Sequence, residues 1–472
     1  MPVAISTVGV MPTAPTRARE SASPSPPPSS RVPWIGLGVA ILVLAASAFV
    51  PTLFGWEVFS RAHPEDYVGS INPLHAVWDP RVGPGTVPAA LIAVLGWRYA
   101  IDLMARLTWR RLLVVSYVAS LAWLLALALV DGGDGISGSL EHSYEYLATA
   151  RTISDVPAFL TEFVSRIPID ATDNWPTHVA GHPPGATLFF VLLVRLGLGS
   201  GLAAGLVVTA IGASTAPAVL ITLRALGAED AARRVAPFLV LTPAAVWMAV
   251  SADGMFGAAA AWGMAALALA ATAAARARLI GFAVLAGLLL GSCVMLSYGL
   301  PVLGLLAIAV LFAARSWRAL PIAVAAALAV VLAFAAAGFN WWSAFPVLRD
   351  RYWDGLASSR PGAYWTWADL GSFLFSGGPL LGAGVAVLVA LILKRQVATD
   401  RVVVLLAGAG VAMVLLADIS QMSRAEVERI WLPFVPWVTV AVALLPERWR
   451  RFGLGLQIVT ALLLQHLISS TW

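Results

Sequence analysis

Two histidines end an acidic stretch of the chain, in the run Thr177-His178-Val179-Ala180-Gly181-His182-Pro183-Pro184. Proline is favoured at the first position of a helix, so the pair Pro183-Pro184 predicts that a helix begins there. The N-terminus of a helix carries partial positive charge and attracts phosphate groups. Imidazole side chains at the same point could bind phosphate oxygens or move a proton. We therefore expect His178 and His182 to contact a phosphate group.

Carboxylates that could act as a general base precede these histidines. The segment 131–182 contains eight acidic and two basic residues, a local net charge of −6 in a chain of +5 overall. The candidates are Glu145, and Asp131 and Asp134, which lie closer to the preceding apolar run. If Ser139 caps a helix, Glu141 and Glu145 share one face of it. Avoidance of positive charge outside a membrane explains part of the acidic bias but not the order of the residues.

The same segment contains an apolar repeat at three- and four-residue spacing, formed by Val156, Phe159, Leu160, Phe163, Val164 and Ile167. This spacing predicts an amphipathic helix that lies on the membrane surface. Such a helix could cover a cavity, or it could simply brace the loop.

A second group of candidates lies in Ser423-Arg424-Ala425-Glu426-Val427-Glu428-Arg429. Ser423 and Glu426 match a capping box, and the spacing of Arg424 and Glu428 predicts a helical ion pair. Arg429 has no such local partner, although it could extend to the membrane interface. Because the guanidinium fork matches phosphate geometry, Arg429 and Arg424 are candidate phosphate ligands.

The composition of the chain identifies the environment of these residues. Of 472 residues, 60% are hydrophobic and 12% are charged, against roughly 45–50% and 25% in a soluble domain. Lipid must therefore face most of the apolar excess. The arginines form short clusters between apolar runs, which indicates membrane topology rather than a nucleic-acid partner. The single cysteine, Cys293, permits no internal disulfide.

The fold class is predicted to be all-α, a polytopic transmembrane bundle with juxtamembrane helices on the extracytoplasmic side. Residues 1–32 are rich in Pro and Ser and predict a disordered cytoplasmic tail, and 33–472 form one transmembrane domain. The apolar runs give about thirteen spans if 184–199 crosses only in part. Arginine clusters orient the bundle in the plasma membrane with the N-terminus inside. The loops 131–182, 339–371 and 418–430 then lie outside. The apolar runs are 34–54, 88–105, 112–130, 184–199, 202–222, 235–250, 255–274, 279–297, 301–314, 319–338, 372–393, 402–417, 431–445 and 453–470.

Together these motifs resemble the GT-C superfamily of polytopic glycosyltransferases, such as the protein O-mannosyltransferases and the lipid A aminoarabinose transferases. The resemblance covers roughly residues 131 to 445, and THVAGHPPG with the later EVERIWLPF is similar to uncharacterised actinobacterial members. It implies transfer of a sugar from a polyprenyl-phosphate donor to a glycan, lipid or protein acceptor outside the membrane.

The resemblance also implies roles for individual residues. Glu145-Tyr146 matches the acidic motif whose carboxylate acts as base or positions the acceptor, and His182 matches a residue near the donor phosphate. Asp253 resembles a second family acid, although an Asp-Gly turn explains it equally. Arg429 resembles an arginine that faces the lipid phosphate. Two spans before the motif loop, and Glu-Tyr in place of Asp-Glu, depart from the family pattern.

Aromatic residues of the loop 339–371, Trp365 among them, indicate an interfacial belt or a surface that stacks on a sugar ring. The spacing of His, Asp and Glu does not define a metal site, although loop carboxylates could share a divalent ion. No GxxxxGK[ST] motif is present, and no GxGxxG follows a strand, which argues against an ATP-driven pump. A glycan polymerase or ligase, and a secondary transporter, are the alternative functions.

Overall fold

Helices form most of the protein, whose computed structural model describes residues 31–61, 69–398 and 400–470. In this part of the chain, seven helical segments are long and apolar enough to cross a membrane. They are Val32–Phe54, Thr86–Arg106, Trp109–Asp131, Gly201–Ala225, Ala252–Ala271, Arg276–Leu296 and Arg401–Ser420. On the first, Leu42 and Leu53 are 67% and 76% exposed, as expected for side chains in lipid. The prediction of a membrane-embedded helical bundle is confirmed.

The predicted number of spans is not supported. Two bent helix pairs, Leu320–Ala336 with Trp341–Asp354 (75°) and Gly362–Gly377 with Leu380–Leu393 (111°), raise the count of candidate spans among the described residues to nine at most. The prediction of about thirteen spans counted apolar runs without seeing where helices break. Gly378 adopts φ 84° and Pro379 lacks an N–H, so the run 372–393 cannot be one straight helix.

Shorter helices complete the bundle. Those that contain or continue apolar runs are Pro184–Arg195, Glu229–Val240, Ala245–Met248, Leu303–Ala314, Val435–Thr439 and Trp449–Leu467, with 3-10 turns at Leu300–Val302 and Val440–Leu444. Pro184 does begin a helix, as predicted. The end of the span Trp109–Asp131 is the 3-10 turn Leu129–Asp131, and Gly201–Ala225 consists of Gly201–Ala213 and Thr215–Ala225.

Two short strands join distant parts of the chain. Ala76–Trp78 pairs antiparallel with Ile468–Ser470, so that Val77 lies opposite Ser469. This two-stranded sheet is the only named sheet in the described ranges, and it departs slightly from the all-α prediction. The predicted tail 1–32 lies outside the described residues except for Arg31 and Val32.

Small residues let the helices approach closely. A Cβ atom placed on Gly36 would lie 2.2 Å from the carbonyl oxygen of Gly382, and one on Gly382 would lie 2.5 Å from that of Gly36. The helices Val32–Phe54 and Leu380–Leu393 therefore touch backbone to backbone, the packing that small residues permit in membranes.

The segment 131–182 folds as a chain of short helices rather than as a loop with one long helix. They are Asp134–Ser137, Ser139–Glu141, Tyr146–Thr152, Val156–Glu162, Val164–Arg166 and Thr177–Gly181, the second and fifth being 3-10. Glu141 and Glu145 do not share a helix face, because the chain turns between them at His142. Instead Glu141 binds Arg151 at 2.5 Å and accepts a hydrogen bond from Gly201 N at 2.7 Å, which anchors the segment to the bundle.

The predicted amphipathic helix is also shorter than expected. It ends at Glu162, a 3-10 turn follows, and Phe163 and Ile167 are fully buried. Phe163 packs against Trp175 and Phe339. The apolar face is therefore buried against protein rather than against the membrane surface.

Candidate functional site

Four charged or polar side chains from distant segments meet inside the protein. Glu145 precedes the helix Tyr146–Thr152, and His178 lies in the helix Thr177–Gly181. Asp253 occupies the first turn of Ala252–Ala271, and Arg429 lies in the short helix Val427–Ile430. All four are buried. We call these residues the Arg429 cluster.

Hydrogen bonds inside the Arg429 cluster determine the protonation of His178. Its Nε2 lies 3.1 Å from Nη2 of Arg429, and its Nδ1 lies 2.8 Å from Oε1 of Glu145. A guanidinium can only donate, so Nε2 must accept and the proton must be on Nδ1. His178 is therefore a neutral imidazole that receives a hydrogen bond from Arg429 and donates one to Glu145.

Ion pairs complete the cluster. Nη1 of Arg429 lies 3.5 Å from Oε1 of Glu145 and 3.4 Å from Oδ2 of Asp253. Two carboxylates thus face one guanidinium, and burial makes this pairing much stronger than it would be in water. The second oxygen of Glu145, Oε2, is buried and has no hydrogen-bond partner among the described residues.

Electrostatics keep Glu145 ionised. Burial by itself raises the pKa of this carboxyl group, but its interaction with His178 and the positive charge of Arg429 outweigh burial, so that the pKa lies below its ordinary value. Glu145 is therefore a buried carboxylate with one oxygen available to accept a proton.

His182 lies beside this cluster, directly before the helix Pro184–Arg195. Its Nδ1 is 2.9 Å from the carbonyl oxygen of His178, and since a carbonyl oxygen only accepts, Nδ1 carries the proton. Burial lowers the pKa of His182 to about 4, so the ring is neutral at neutral pH and its Nε2 presents a lone pair. The rings of Tyr146 and Phe256 lie 5.6 and 5.7 Å away.

Tyr146 is buried beside the cluster. Its ring stacks on Phe190 with centroids 5.3 Å apart, and the residue is 1% exposed. Burial raises the pKa of its hydroxyl group well above 10. The helix that contains Phe190 is the one that begins at Pro184, so this stack joins Glu145 and His182 to one rigid unit.

A strained turn places Arg429. Gln421, Ala425 and Glu426 all have positive φ angles, of 54°, 67° and 63°. Such angles cost free energy in residues with a side chain, and they occur most often at functional sites. The carboxylate of Asp369 accepts a hydrogen bond from Ala425 N at 3.0 Å, and Arg360 pairs with Glu426 at 2.9 Å.

These contacts correct two predictions for the same turn. The capping box is wrong, because Ser423 accepts a hydrogen bond from the Trp431 indole and Glu426 pairs with Arg360. The ion pair of Arg424 with Glu428 is wrong as well, because Glu428 instead accepts a hydrogen bond from the backbone N–H of His75 at 3.0 Å.

Arg424 does not join the Arg429 cluster. Its guanidinium binds Gln421 Oε1 and the carbonyl oxygen of Arg360, both at 2.8 Å, and lies 4.8 Å above the Trp353 ring. It therefore holds the strained turn in place.

The remaining predicted site residues also lie outside the Arg429 cluster. Asp131 forms an ion pair with Arg81 and accepts a hydrogen bond from Gln465 at 2.8 Å. Asp131 and Asp134 both line a cavity that none of the Arg429 cluster residues lines. Trp365 is fully buried and donates to the carbonyl oxygen of Val58 at 2.8 Å. Its ring is therefore inaccessible to a sugar in this conformation.

Two residues that order the site were not identified from the sequence. Arg360 is buried and orders the turn before Arg429, and His75 holds Glu428 through its backbone. Arg360 was visible only as one charge of an aromatic loop, and a backbone donor such as His75 leaves no sequence signal.

The described residues contain no group of three or more His, Cys, Asp or Glu side chains placed to hold a metal ion. Comparison of the chain with protein-family models, with curated proteins and with solved structures finds no match. The Arg429 cluster is therefore the feature of the molecule from which a function can be inferred.

Proposed function

We propose that this protein is a membrane glycosyltransferase that moves a sugar from a polyprenyl-phosphate donor to a hydroxyl group of an extracytoplasmic acceptor. The observation that supports it is the Arg429 cluster, in which an ionised carboxylate with one unpartnered oxygen lies beside a guanidinium and a neutral histidine. A base and a phosphate ligand in contact are the two groups that such a transfer needs.

In the proposed reaction, Oε2 of Glu145 accepts the proton of the acceptor hydroxyl as its oxygen attacks the anomeric carbon. The bond from that carbon to the donor phosphate breaks, and the phosphate leaves with the electron pair. A single displacement of this kind inverts the configuration at the anomeric carbon. Arg429 contacts the phosphate, which the positive end of the helix Pro184–Arg195 also favours. The negative charge of the phosphate raises the pKa of His182, so that its Nε2 takes up a proton and donates to a phosphate oxygen.

The two carboxylates on Arg429 suggest an order of binding. A donor phosphate must compete with Asp253 and Glu145 for the guanidinium, because both lie within 3.5 Å of it. When phosphate draws Arg429 away, the pKa of Glu145 rises and the carboxylate becomes a stronger base. Donor binding would thus activate the base for the acceptor.

A secondary transporter is the second candidate, and one observation favours it. Asp369 and Asp418 lie buried within apolar helices, where carboxylates often mark an ion or proton path. Transport predicts substrate movement without a covalent product, so analysis of the products separates the two functions. Product analysis would likewise distinguish single-sugar transfer from glycan polymerase or ligase activity.

The first experiment measures donor binding by the protein purified in lipid nanodiscs. We expect saturable binding of a polyprenyl-phosphate sugar that is lost in His182→Ala and in Arg429→Ala. Loss of a buried ion-pair partner typically costs about 3–5 kcal/mol, so the melting temperature of each variant must be measured as well. If the folded wild type binds no donor, the glycosyltransferase proposal fails.

The second experiment tests the base. Gln at position 145 can still accept the hydrogen bond from His178, so we expect Glu145→Gln to fold and to bind donor. Its transfer rate should fall by roughly 10²–10⁴-fold, the usual contribution of a general base. Glu162→Gln is the matched control, because Glu162 is exposed in the same segment. Equal rates for Glu145→Gln and the control would contradict the role of Glu145.

A further inference from the structure

A second polar site lies beside the Arg429 cluster. It is a cavity of about 380 Å³ between the segment that follows Asp131 and the strand Ile468–Ser470. This volume falls within the range of about 300–1,000 Å³ that is typical of small-molecule sites. We call it the Asp134 cavity.

The groups that line the Asp134 cavity are suited to hydroxyl-rich ligands. Carboxylate, guanidinium, amide and hydroxyl groups lie around it together with the exposed ring of His142, so a ligand meets both hydrogen-bond partners and a stacking surface. The charged and aromatic side chains are Asp79, Arg81, Asp131, Asp134 and His142, and Gln465 supplies the amide.

Some of these side chains are paired with other protein groups, whereas the carboxylate of Asp134 is not. Arg81 binds Asp131 and the carbonyl oxygen of Ile468, and Gln465 donates to Asp131 at 2.8 Å. The carboxylate of Asp134, by contrast, is exposed and forms no hydrogen bond or ion pair with any described residue. The cavity thus has a preformed wall and a carboxylate ready to bind a ligand.

The charge of the lining selects the kind of ligand. Three carboxylates and one guanidinium, from Asp79, Asp131, Asp134 and Arg81, give a net charge of −2. Like charges repel strongly in a cavity with protein walls. The Asp134 cavity therefore disfavours phosphorylated or acidic sugars and accepts neutral or amino sugars.

The wall of the cavity is connected to the proposed base, although the cavity is not lined by any residue of the Arg429 cluster. His142 of its wall stacks on Tyr144 with centroids 5.2 Å apart, and Tyr144 packs edge-on against His178 at the same distance. The backbone N–H of Glu145 donates to the carbonyl oxygen of His142 at 3.0 Å. One turn of chain thus joins the cavity wall to the carboxylate that would deprotonate an acceptor.

We infer that the Asp134 cavity binds the acceptor of the transfer, and that this acceptor is a neutral or amino-bearing saccharide. This inference rests on the proposed function, because the saccharide is an acceptor only if the protein transfers a sugar. Saccharide binding by the cavity can nevertheless be measured without any transfer. It also gives Asp131 and Asp134 a role in binding rather than as the base.

The test uses saturation-transfer NMR of the full chain in nanodiscs without donor. The probes are chitotetraose, its fully deacetylated amine, maltotetraose and the anionic tetragalacturonate. We expect at least one of the first three to bind and tetragalacturonate not to bind. Asp134→Ala should weaken that binding by at least about tenfold, equivalent to one good hydrogen bond to a charged group. Asp170→Ala, another exposed carboxylate of the same segment, is the control and should bind as the wild type does.

The outcomes separate the two proposals. If none of the neutral or amino probes binds to the folded protein, or if Asp134→Ala binds them as the wild type does, the cavity assignment is overturned. Donor titration of the same Asp134→Ala sample then reports on the glycosyltransferase proposal independently, because Asp134 has no contact with Arg429. Donor binding that persists while saccharide binding is lost supports both proposals.

Discussion

Two glutamates that lie two residues apart, Glu426 and Glu428, have pKa values that are shifted in opposite directions. Burial raises the pKa of Glu426, but the positive charge of Arg360 and its hydrogen bond outweigh burial and lower the pKa to about 2. Glu428 has no comparable cation, and burial raises its pKa to about 7. Both lie within three residues of Arg429 in the chain, so the total charge around the candidate phosphate ligand changes near neutral pH.

Glu428 should make stability depend on pH in a defined direction. Because its pKa is raised in the folded state, the folded protein holds a proton that the unfolded chain has released between pH 4.5 and about 7. Stability from this group is therefore complete below pH 4.5 and decreases as pH rises toward 7, by at most about 3 kcal/mol.

We expect Glu428→Gln to remove this loss, since Gln can accept the same hydrogen bond from His75. The variant should melt at a higher temperature than the wild type at pH 8 and at nearly the same temperature at pH 4.5. Glu447→Gln, at an exposed position, serves as the control. A difference from the wild type that is equal at both pH values would refute the assignment.

At the residue scale, the sequence analysis identified four members of the site but not their partners. His178, Glu145, Asp253 and Arg429 were each selected by residue type and local motif, and they do meet. The contacts of Arg429 with Glu145 and His178 join positions 284 and 251 residues apart, and no local spacing contains that information. The predicted ion pair of Arg424 with Glu428 does not form because the helix begins only at Val427, after Arg424.

Among the elements, the helix Pro184–Arg195 begins at a closely packed position. A Cβ atom on Gly185 would lie 2.4 Å from the carbonyl oxygen of Met295, so the start of this helix rests directly on the end of Arg276–Leu296. His182 precedes that start, and its position therefore depends on the contact.

Gly185→Ala should push the helix away from Met295 and displace His182. We expect a loss of stability of about 1–3 kcal/mol, the usual cost of overpacking, together with weaker donor binding. Gly181→Ala is a matched control, because a Cβ atom there would meet no atom within 4 Å. Melting temperature and donor affinity of the two variants measure the effect, and equal values would contradict it.

Predictability from sequence differed between elements for a physical reason. The proline pair at 183 and 184 acts through its own backbone, so the helix start was predicted correctly. The helix through Glu141 and Glu145 was predicted from side-chain spacing alone, but ties to Arg151 and Gly201 hold Glu141 in a separate turn. Tertiary contacts therefore determined the local structure around Glu141, overriding what the side-chain spacing predicts.

At the scale of the molecule, the sequence predicted a membrane-embedded helical bundle because composition alone requires it. It could not predict the number of spans, since breaks at residues such as Gly378 depend on how helices pack.

The orientation of the bundle can be measured directly. From the arginine clusters we expect residue 162 outside and residue 278 inside. Cys293 is the sole cysteine and is buried, so Cys293→Ala provides a clean background. With a membrane-impermeant maleimide, Glu162→Cys should react in intact cells, whereas Arg278→Cys should react only after permeabilisation. The opposite pattern would place the Arg429 cluster on the cytoplasmic side.

The pairing of Ala76–Trp78 with Ile468–Ser470 has a consequence for biosynthesis. The chain between these two strands must be synthesised and inserted before the strands can pair. Contacts between residues so far apart in sequence form late. Since Gln465 and Ile468–Ser470 supply one wall of the Asp134 cavity, that cavity is the last part of the proposed site to be completed. A nascent chain in which residues 465–470 have not yet been synthesised would therefore lack this wall and be unable to retain a saccharide.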